Sequence, residues 1–481
     1  MSMDVNIIER LIRQVVEEVE IRNFAGQLGQ NPGSPGRTQT ANYQYGIFDT
    51  MDEAVEASAA AFRELAECTL QQRQAFIRAI RETVLKPENL EAISQESVVE
   101  TGIGNVDHKL IKNRLAAEKT PGMEDLITEA QSGDHGLTIT EYCPFGVIGG
   151  ITPTTNPTET VISNSIGMIA GGNTVVFSPH PRARQVTIHL ITLLNQALEQ
   201  AGAPQNLIAT VQEPSIENTN RMMEHPLVRL LVATGGPSIV HKVMSSGKKA
   251  IGAGAGNPPV VVDETADIEK AAKDIVDGCS FDHNVPCIAE KEVFAVAEIF
   301  DELVAGMVKQ GAYLMTDPVM TAKLQEMVTD EKGGPKVSFV GKSAGYILEQ
   351  LGLYGVGAAR VIILETTADH HFVNEEMMMP ILPLVRVSDV DQAIACAYIA
   401  EHGNRHTAMI HSRNIDKITK MARLLETTIF VKNAPSYAGI GAGGEGHTTF
   451  TIAGPTGEGL TSARSFCRKR WCVMVDGLNI K

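Results

Sequence analysis

The sequence predicts an α/β protein of two domains, each built on a parallel sheet, with a small additional β element. Three observations carry this. A length of 481 residues is too great for one small core. Strand-like and helix-like runs alternate from Gly146 to Ser245, the pattern of βαβ units. The alternation then restarts beyond Cys287 with Val293–Val296.

Composition narrows the class. Hydrophobic residues make 43% of the chain and charged residues 20%, as in ordinary globular proteins. The formal net charge is -16 and no basic stripe offsets it, which excludes nucleic acid and anionic membrane surfaces as expected partners. The 7 cysteines are widely spaced and odd in number, which argues for a reducing compartment rather than a disulfide framework. No apolar run is long enough to span a bilayer, and no secretory leader is expected at the N-terminus.

In chain order, residues 1–20 read as an amphipathic helix. Ile7, Ile8, Leu11, Ile12, Val15, Val16 and Val19 form its single apolar stripe. Residues 21–45, with their Gly and Pro, have linker composition. A tethered helix either packs back on the body or lays its stripe in a partner's groove, and its separation from a core favours the partner.

Residues 50–84 and 87–100 read as helices, the first capped at Thr50 or Asp52 and the second ending near Gly102. Ile139–Tyr142 and Gly146–Ile151 read as strands. Helices over 161–170, 183–199, 216–223 and 237–245 then alternate with strands over 174–177, 207–211 and 228–233. Val260–Val262 adds a strand and residues 268–276 a helix. After Cys287 come strands over 293–296, 360–364, 384–387, 407–410 and 427–431, and a final one at Cys472–Val475. The expected division is 46–266 for the first domain, with an oligomerisation strand over 130–143, 267–438 for the second, and 439–481 for a C-terminal oligomerisation segment.

Four motifs carry chemistry. Pro286 restricts the backbone before Cys287, so a helix should break there and present a thiol beside its own N–H. Thr152-Pro153-Thr154-Thr155-Asn156-Pro157 follows a buried strand, and its prolines would hold Asn156 rigid enough to donate to an oxyanion. Thr234-Gly235-Gly236-Pro237 opens a helix whose free N–H groups suit a phosphate, or forms an ordinary strand-to-helix turn. Gly252 to Gly256 precedes a strand rather than a helix, so it is not a dinucleotide-binding loop of the usual kind. Cys279, His283 and Cys287 recur every four residues, but Pro286 breaks that face and no fourth ligand lies nearby, so no metal is expected.

In this order and at these separations, with Asn374-Glu375-Glu376-Met377-Met378-Met379-Pro380 following, the motifs resemble the aldehyde dehydrogenase superfamily over about residues 45–481. The resemblance implies an aldehyde dehydrogenase-like fold whose first domain binds a nicotinamide cofactor and whose second is catalytic. It makes Cys287 the nucleophile and Asn156 the oxyanion donor. Thr234 and Gly235 match the pyrophosphate loop, and Glu376 matches the carboxylate on the nicotinamide ribose. Thr152, Pro153, Ser178, Pro179, His180, Gly236, Ile239, Gly252 and Met378 complete the implied cofactor contacts.

Two departures from the family pattern matter. Hydrolytic members carry a water-activating glutamate where this chain has Gly252, and a ribose-binding lysine where it has Ser178. Both changes resemble the coenzyme A-acylating branch, in which coenzyme A releases the acyl group. The tethered helix is similar to the encapsulation peptides of the propionaldehyde and acetaldehyde dehydrogenases of bacterial microcompartments, such as those using propanediol or ethanolamine. The resemblance thus implies a short aldehyde, NAD and coenzyme A as substrates, a shell protein as partner of residues 1–20, and a cytoplasmic compartment lumen. It also implies a homodimer or homotetramer bridged by Ile139–Tyr142 and Cys472–Val475. The rivals are a hydrolytic dehydrogenase releasing free acid and a non-catalytic scaffold on the same fold.

Overall fold

The computed structural model describes residues 45–480; the expected N-terminal helix and almost all of its linker lie outside them. Thr50 caps the first helix, Met51–Ala66, through a reciprocal pair with Glu53. A second such pair, Thr69 with Gln72, starts a new helix at Leu70–Leu85. The single helix expected over 50–84 is therefore two, because Thr69 offers its hydroxyl to the backbone and restarts the ladder. Pro87–Thr101 ends on Gly102 in the left-handed region, as expected. A further helix, Val106–Lys119, was not anticipated; the Asn105 side chain caps it by accepting from the His108 N–H.

The first sheet has six strands, all parallel. Their order is Ile47–Phe48, Ile208–Val211, Thr174–Pro179, Val147–Thr152, Val228–Thr234 and Lys249–Ala253. The chain builds outward from Val147–Thr152 in one direction, then returns to build from its other side. The reversal between Val147–Thr152 and Val228–Thr234 opens a crevice at their carboxyl ends, where α/β proteins bind ligands.

The second sheet has seven parallel strands: Ala312–Leu314, Val361–Thr366, Ile381–Val387, Glu292–Val296, Pro259–Val262, Thr407–His411 and Ile429–Lys432. Pro259–Val262 pairs with Glu292–Val296 and Thr407–His411, so this strand joins the second sheet although it lies within the expected 46–266. The strand's near-continuous apolar run satisfies either sheet, and only its pairing assigns it.

Residues 439–466 pack on the body: Lys119 donates to the Gly441 carbonyl at 2.6 Å, and the Thr451 hydroxyl donates to Asn164 Oδ1 at 3.1 Å. Only Cys467–Val475 leaves the body as a long strand. It pairs antiparallel with Gly136–Pro144 along its whole length, and Glu129–Gly133 covers the other edge of that partner.

Candidate active site

Connectivity brings the amino ends of the central strands of the second sheet toward the crevice of the first. Lys249–Ala253 ends the first sheet and Pro259–Val262 begins inside the second, with a short glycine-rich connector between. Cys287 precedes Glu292–Val296, Glu376 precedes Ile381–Val387, and His406 precedes Thr407–His411. These three strands and Pro259–Val262 are neighbours, so their leading loops share one edge. A Cβ on Gly256 would meet the Cys287 carbonyl at 2.7 Å and the His406 ring at 3.0 Å. The connector thus passes directly against the thiol loop, and only glycine permits that approach.

The thiol loop breaks earlier than Pro286 suggests. Its helix, Ile268–Ser280, stops before Asp282, His283 and Asn284, which all take positive φ, 50°, 55° and 64°. Asp, His and Asn tolerate this region better than other side chains, though at a cost each time. Each is tied down separately. The Asp282 N–H donates to His108 Nδ1 at 2.8 Å, and its carboxylate pairs with Lys109 and Lys112. His283 Nδ1 meets the Gly341 carbonyl at 3.1 Å. Asn284 Nδ2 donates to the Cys279 and Glu290 carbonyls, while Lys291 donates to Asn284 Oδ1 at 2.7 Å. His283, which had no role in the sequence reading, anchors the loop.

Cys287 itself sits half-buried in the turn after this run. Burial first, and the Glu376 charge second, push its thiol up to about 12; Lys291, the Cys287 N–H and Lys112 oppose that rise. Cys279 is fully buried against Asn284, and burial pushes its thiol still higher. Cys279 and His283 are committed to different partners, so the four-residue spacing assembles no common face with Cys287.

Asn156 precedes the helix Pro157–Ala170 and is buried. Its Oδ1 accepts from Lys112 Nζ at 2.6 Å. Its Nδ2 has a single long contact, 3.3 Å to the Thr155 hydroxyl. The amide is thus held with its oxygen occupied and its donor available. Lys112 also pairs with Asp282, so one ammonium ties the amide to the thiol loop.

The cofactor candidates gather at the crevice. Thr152 ends the central strand, and among the described residues its buried hydroxyl has no hydrogen-bond partner. The Thr234 hydroxyl meets that of Thr451 at 2.9 Å. The Gly235 N–H is committed to the Ala253 carbonyl, which leaves the phosphate-facing donors to the helix start from Gly236 onward. Gly236 is exposed with open space around its Cα, and Ile239 packs its methyl against Gly235. Ser178 shares a hydrogen bond of 2.8 Å with Thr219, Pro179 follows it in the same buried strand, and the exposed His180 caps a short turn through the Arg182 N–H. Pro153 continues the chain from Thr152 toward the Asn156 turn. Glu376 Oε2 accepts from the Gly256 N–H at 3.3 Å; among the described residues Oε1 has no hydrogen-bond partner, with Lys291 at 3.7 Å. Met378 lies beyond it with φ 53°, its carbonyl accepting from Gly341. Buried polar atoms without hydrogen bonds at Thr152 and Glu376, with a bare helix start at the end of the first sheet, fit a nicotinamide dinucleotide.

Gly252 behaves differently. A Cβ there would meet Val240 at 2.7 Å, under the helix Pro237–Met244. Packing as well as chemistry therefore keeps a side chain out of this position. Four other groups escaped the sequence reading. Lys109 and Lys112 lie on the unanticipated helix. Glu292 is buried, both oxygens without a hydrogen-bond partner among the described residues, and burial keeps it well above the usual carboxylate range. His406 is buried, its Nε2 likewise without a partner among the described residues, and desolvation lowers it to about 4, so the ring is neutral.

The sequence pattern of the aldehyde dehydrogenase family matches residues 31–457. The chain belongs to the aldehyde dehydrogenase family. It is 47% identical over 480 residues to the propanal dehydrogenase (CoA-propanoylating) of Salmonella typhimurium, covering 100% of both chains. Among solved structures, it superimposes on the Rhodopseudomonas palustris propionaldehyde dehydrogenase with bound CoA and an acylated cysteine. There the TM-score is 0.90 and the identity 62%, over 91% of this chain and 100% of the other. The propionaldehyde dehydrogenase of the Clostridium phytofermentans fucose utilisation bacterial microcompartment gives 0.89 and 51%, over 91% and 100%. The family's two-sheet architecture is the one expected from the sequence.

Proposed function

We propose that this family member is a coenzyme A-acylating dehydrogenase that converts a short aliphatic aldehyde, propionaldehyde foremost, to its coenzyme A thioester with NAD+. The observation that carries the reading is that Lys112, which engages the Asn156 carbonyl, also pairs with Asp282 of the Cys287 loop, at a site with no side chain at residue 252. The thiol gives up its proton and its sulfur adds to the aldehyde carbon. The oxyanion formed accepts from Asn156 Nδ2 and from the Cys287 N–H, a pair of donors fixed before the reaction begins. Thr152, the helix start at Gly236 and Glu376 would hold the nicotinamide dinucleotide, which would supply the hydride acceptor. Loss of hydride leaves a thioester on Cys287, and attack by the coenzyme A thiol transfers the acyl group and frees the cysteine. Hydrolysis needs an activated water, and residue 252 carries no side chain to act as its base; a Cβ there would also crowd Val240 at 2.7 Å. Similarity to a CoA-propanoylating enzyme supports the choice of substrates.

The test is a panel of C2 to C4 aldehydes with NAD+, with and without coenzyme A. Acyl-coenzyme A should be the product, and Cys287→Ala should abolish coenzyme A-dependent NADH formation. Free acid as the main product would overturn the acylating reading.

We further propose that the enzyme works in the lumen of a bacterial microcompartment, with residues 1–20 docking on a shell protein. Similarity to a microcompartment enzyme and the apolar stripe of residues 1–20 support this. Deleting residues 1–20 should preserve turnover in solution and abolish co-purification with shells; retained co-purification retires the docking role.

A further inference from the structure

We propose that Lys112 is a positioning residue that sets the oxyanion donor by acting through Asn156, without touching substrate. The inference rests on the reading of Asn156 as that donor.

Lys112 is fully buried on Val106–Lys119. Its Nζ meets Asn156 Oδ1 at 2.6 Å, Asp282 Oδ2 at 2.5 Å and Glu159 Oε1 at 3.0 Å. An ammonium has donors and no acceptor; its contact with Asn156 Oδ1 is a hydrogen bond, and those with the two carboxylates are ion pairs. The consequence falls on the asparagine. A carboxamide can turn either its oxygen or its NH2 toward a site, and the wrong choice would present an oxygen to the developing oxyanion. A group that only donates accepts one of these orientations, with Oδ1 on the lysine and Nδ2 free for the substrate. The adjacent charge also polarises the amide, which strengthens its N–H donors.

The surroundings hold this arrangement from every side. Lys109, three residues earlier on the same helix, donates to the Thr155 carbonyl at 2.5 Å, fixing the residue before Asn156. It also pairs with Asp282 at 3.1 Å. Lys109, Lys112, Glu159 and Asp282 all have side chains with 0% exposure, two charges of each sign. Apolar residues could fill such a space with equal or better stability, so stability is a weak reason for burying four ions. Fixed orientation is a stronger one. Asp282 belongs to the left-handed run of the thiol loop, so the same cluster ties the donor to the nucleophile.

The experiment is a double-mutant cycle. Asn156→Ala should lower kcat about 10²- to 10³-fold. Lys112→Met combined with Glu159→Gln removes one charge of each sign and leaves Lys109 and Asp282 balanced. This pair should lower kcat for thioester formation at least about tenfold with the KM for coenzyme A unchanged, and should cause little further loss on the Asn156→Ala background. Wild-type kcat in the pair, or an independent full loss on that background, overturns the role of Lys112. Should the pair not fold, Lys112→Gln combined with Glu159→Gln keeps polar volume and charge balance but places a carboxamide, which both donates and accepts, against Asn156. A fall in kcat confined to the Asn156 background supports the role, and wild-type turnover overturns it. Unchanged kcat in Asn156→Ala itself would instead sink the reading of Asn156.

Discussion

At the residue scale, Cys287 meets opposed influences. A reactive cysteine is expected to have a depressed pKa, yet burial and Glu376 raise this one to about 12. At neutral pH the free enzyme therefore holds a protonated thiol, and its thiolate fraction climbs about tenfold per pH unit through the alkaline range. Glu376 is the adjustable part of this balance, because a neighbouring carboxylate disfavours the thiolate. Removing a like charge at such range moves a pKa by about 1 unit or more. Glu376→Gln should accordingly speed alkylation of Cys287 by iodoacetamide at pH 8 about tenfold, while cofactor-dependent turnover should fall with loss of the proposed ribose contact. Measured alkylation rates across pH 7 to 10 check this. An unchanged or slower rate in the variant would mean that burial alone sets the thiol.

At the scale of elements, what could be read from the sequence divides along burial. Strands such as Val228–Thr234 and Thr174–Pro179 are apolar runs between turn signals, and they were legible nearly to the residue. The Asn156 turn and the break before Cys287 were legible because proline marks both. Val106–Lys119 was not, and the reason is physical. Its buried face carries Lys109, Lys112 and Asn113 beside Leu115 and Ala116, so the polar residues that should mark the solvent side point inward. Asn105 as cap and Asp107 in the first turn were the available signals. Missing the helix meant missing the orienting lysines, although the asparagine they hold was found. The first of the left-handed residues of the thiol loop depends on the same neighbourhood. Gly104, φ +85°, has no room for a Cβ, which would meet the Asp282 carboxylate at 2.3 Å.

At the scale of the whole molecule, the site is non-local. The crevice of one sheet supplies Thr152 and Asn156, the leading edge of the other supplies Cys287, Glu376 and His406, and no local pattern states that these edges face each other. The exposed three-stranded sheet poses a similar question about subunits. Cys467–Val475 pairs with Gly136–Pro144 on one side and stands at the sheet's edge on the other. Alternate residues Trp471, Val473 and Val475 are 72%, 61% and 66% exposed. Successive side chains of a strand point to opposite faces, so these three share one apolar face, and an open edge of this kind invites pairing with another chain. The chain is accordingly expected to form a homodimer or homotetramer through this sheet. Trp471→Glu combined with Val473→Glu should place charge on that face and reduce the mass measured by light scattering to half or less of the native assembly. Because the residues of the site all come from the two large sheets and their loops, the thiol should still react with iodoacetamide in the smaller species. A native mass in the double variant would move the subunit contact off this strand.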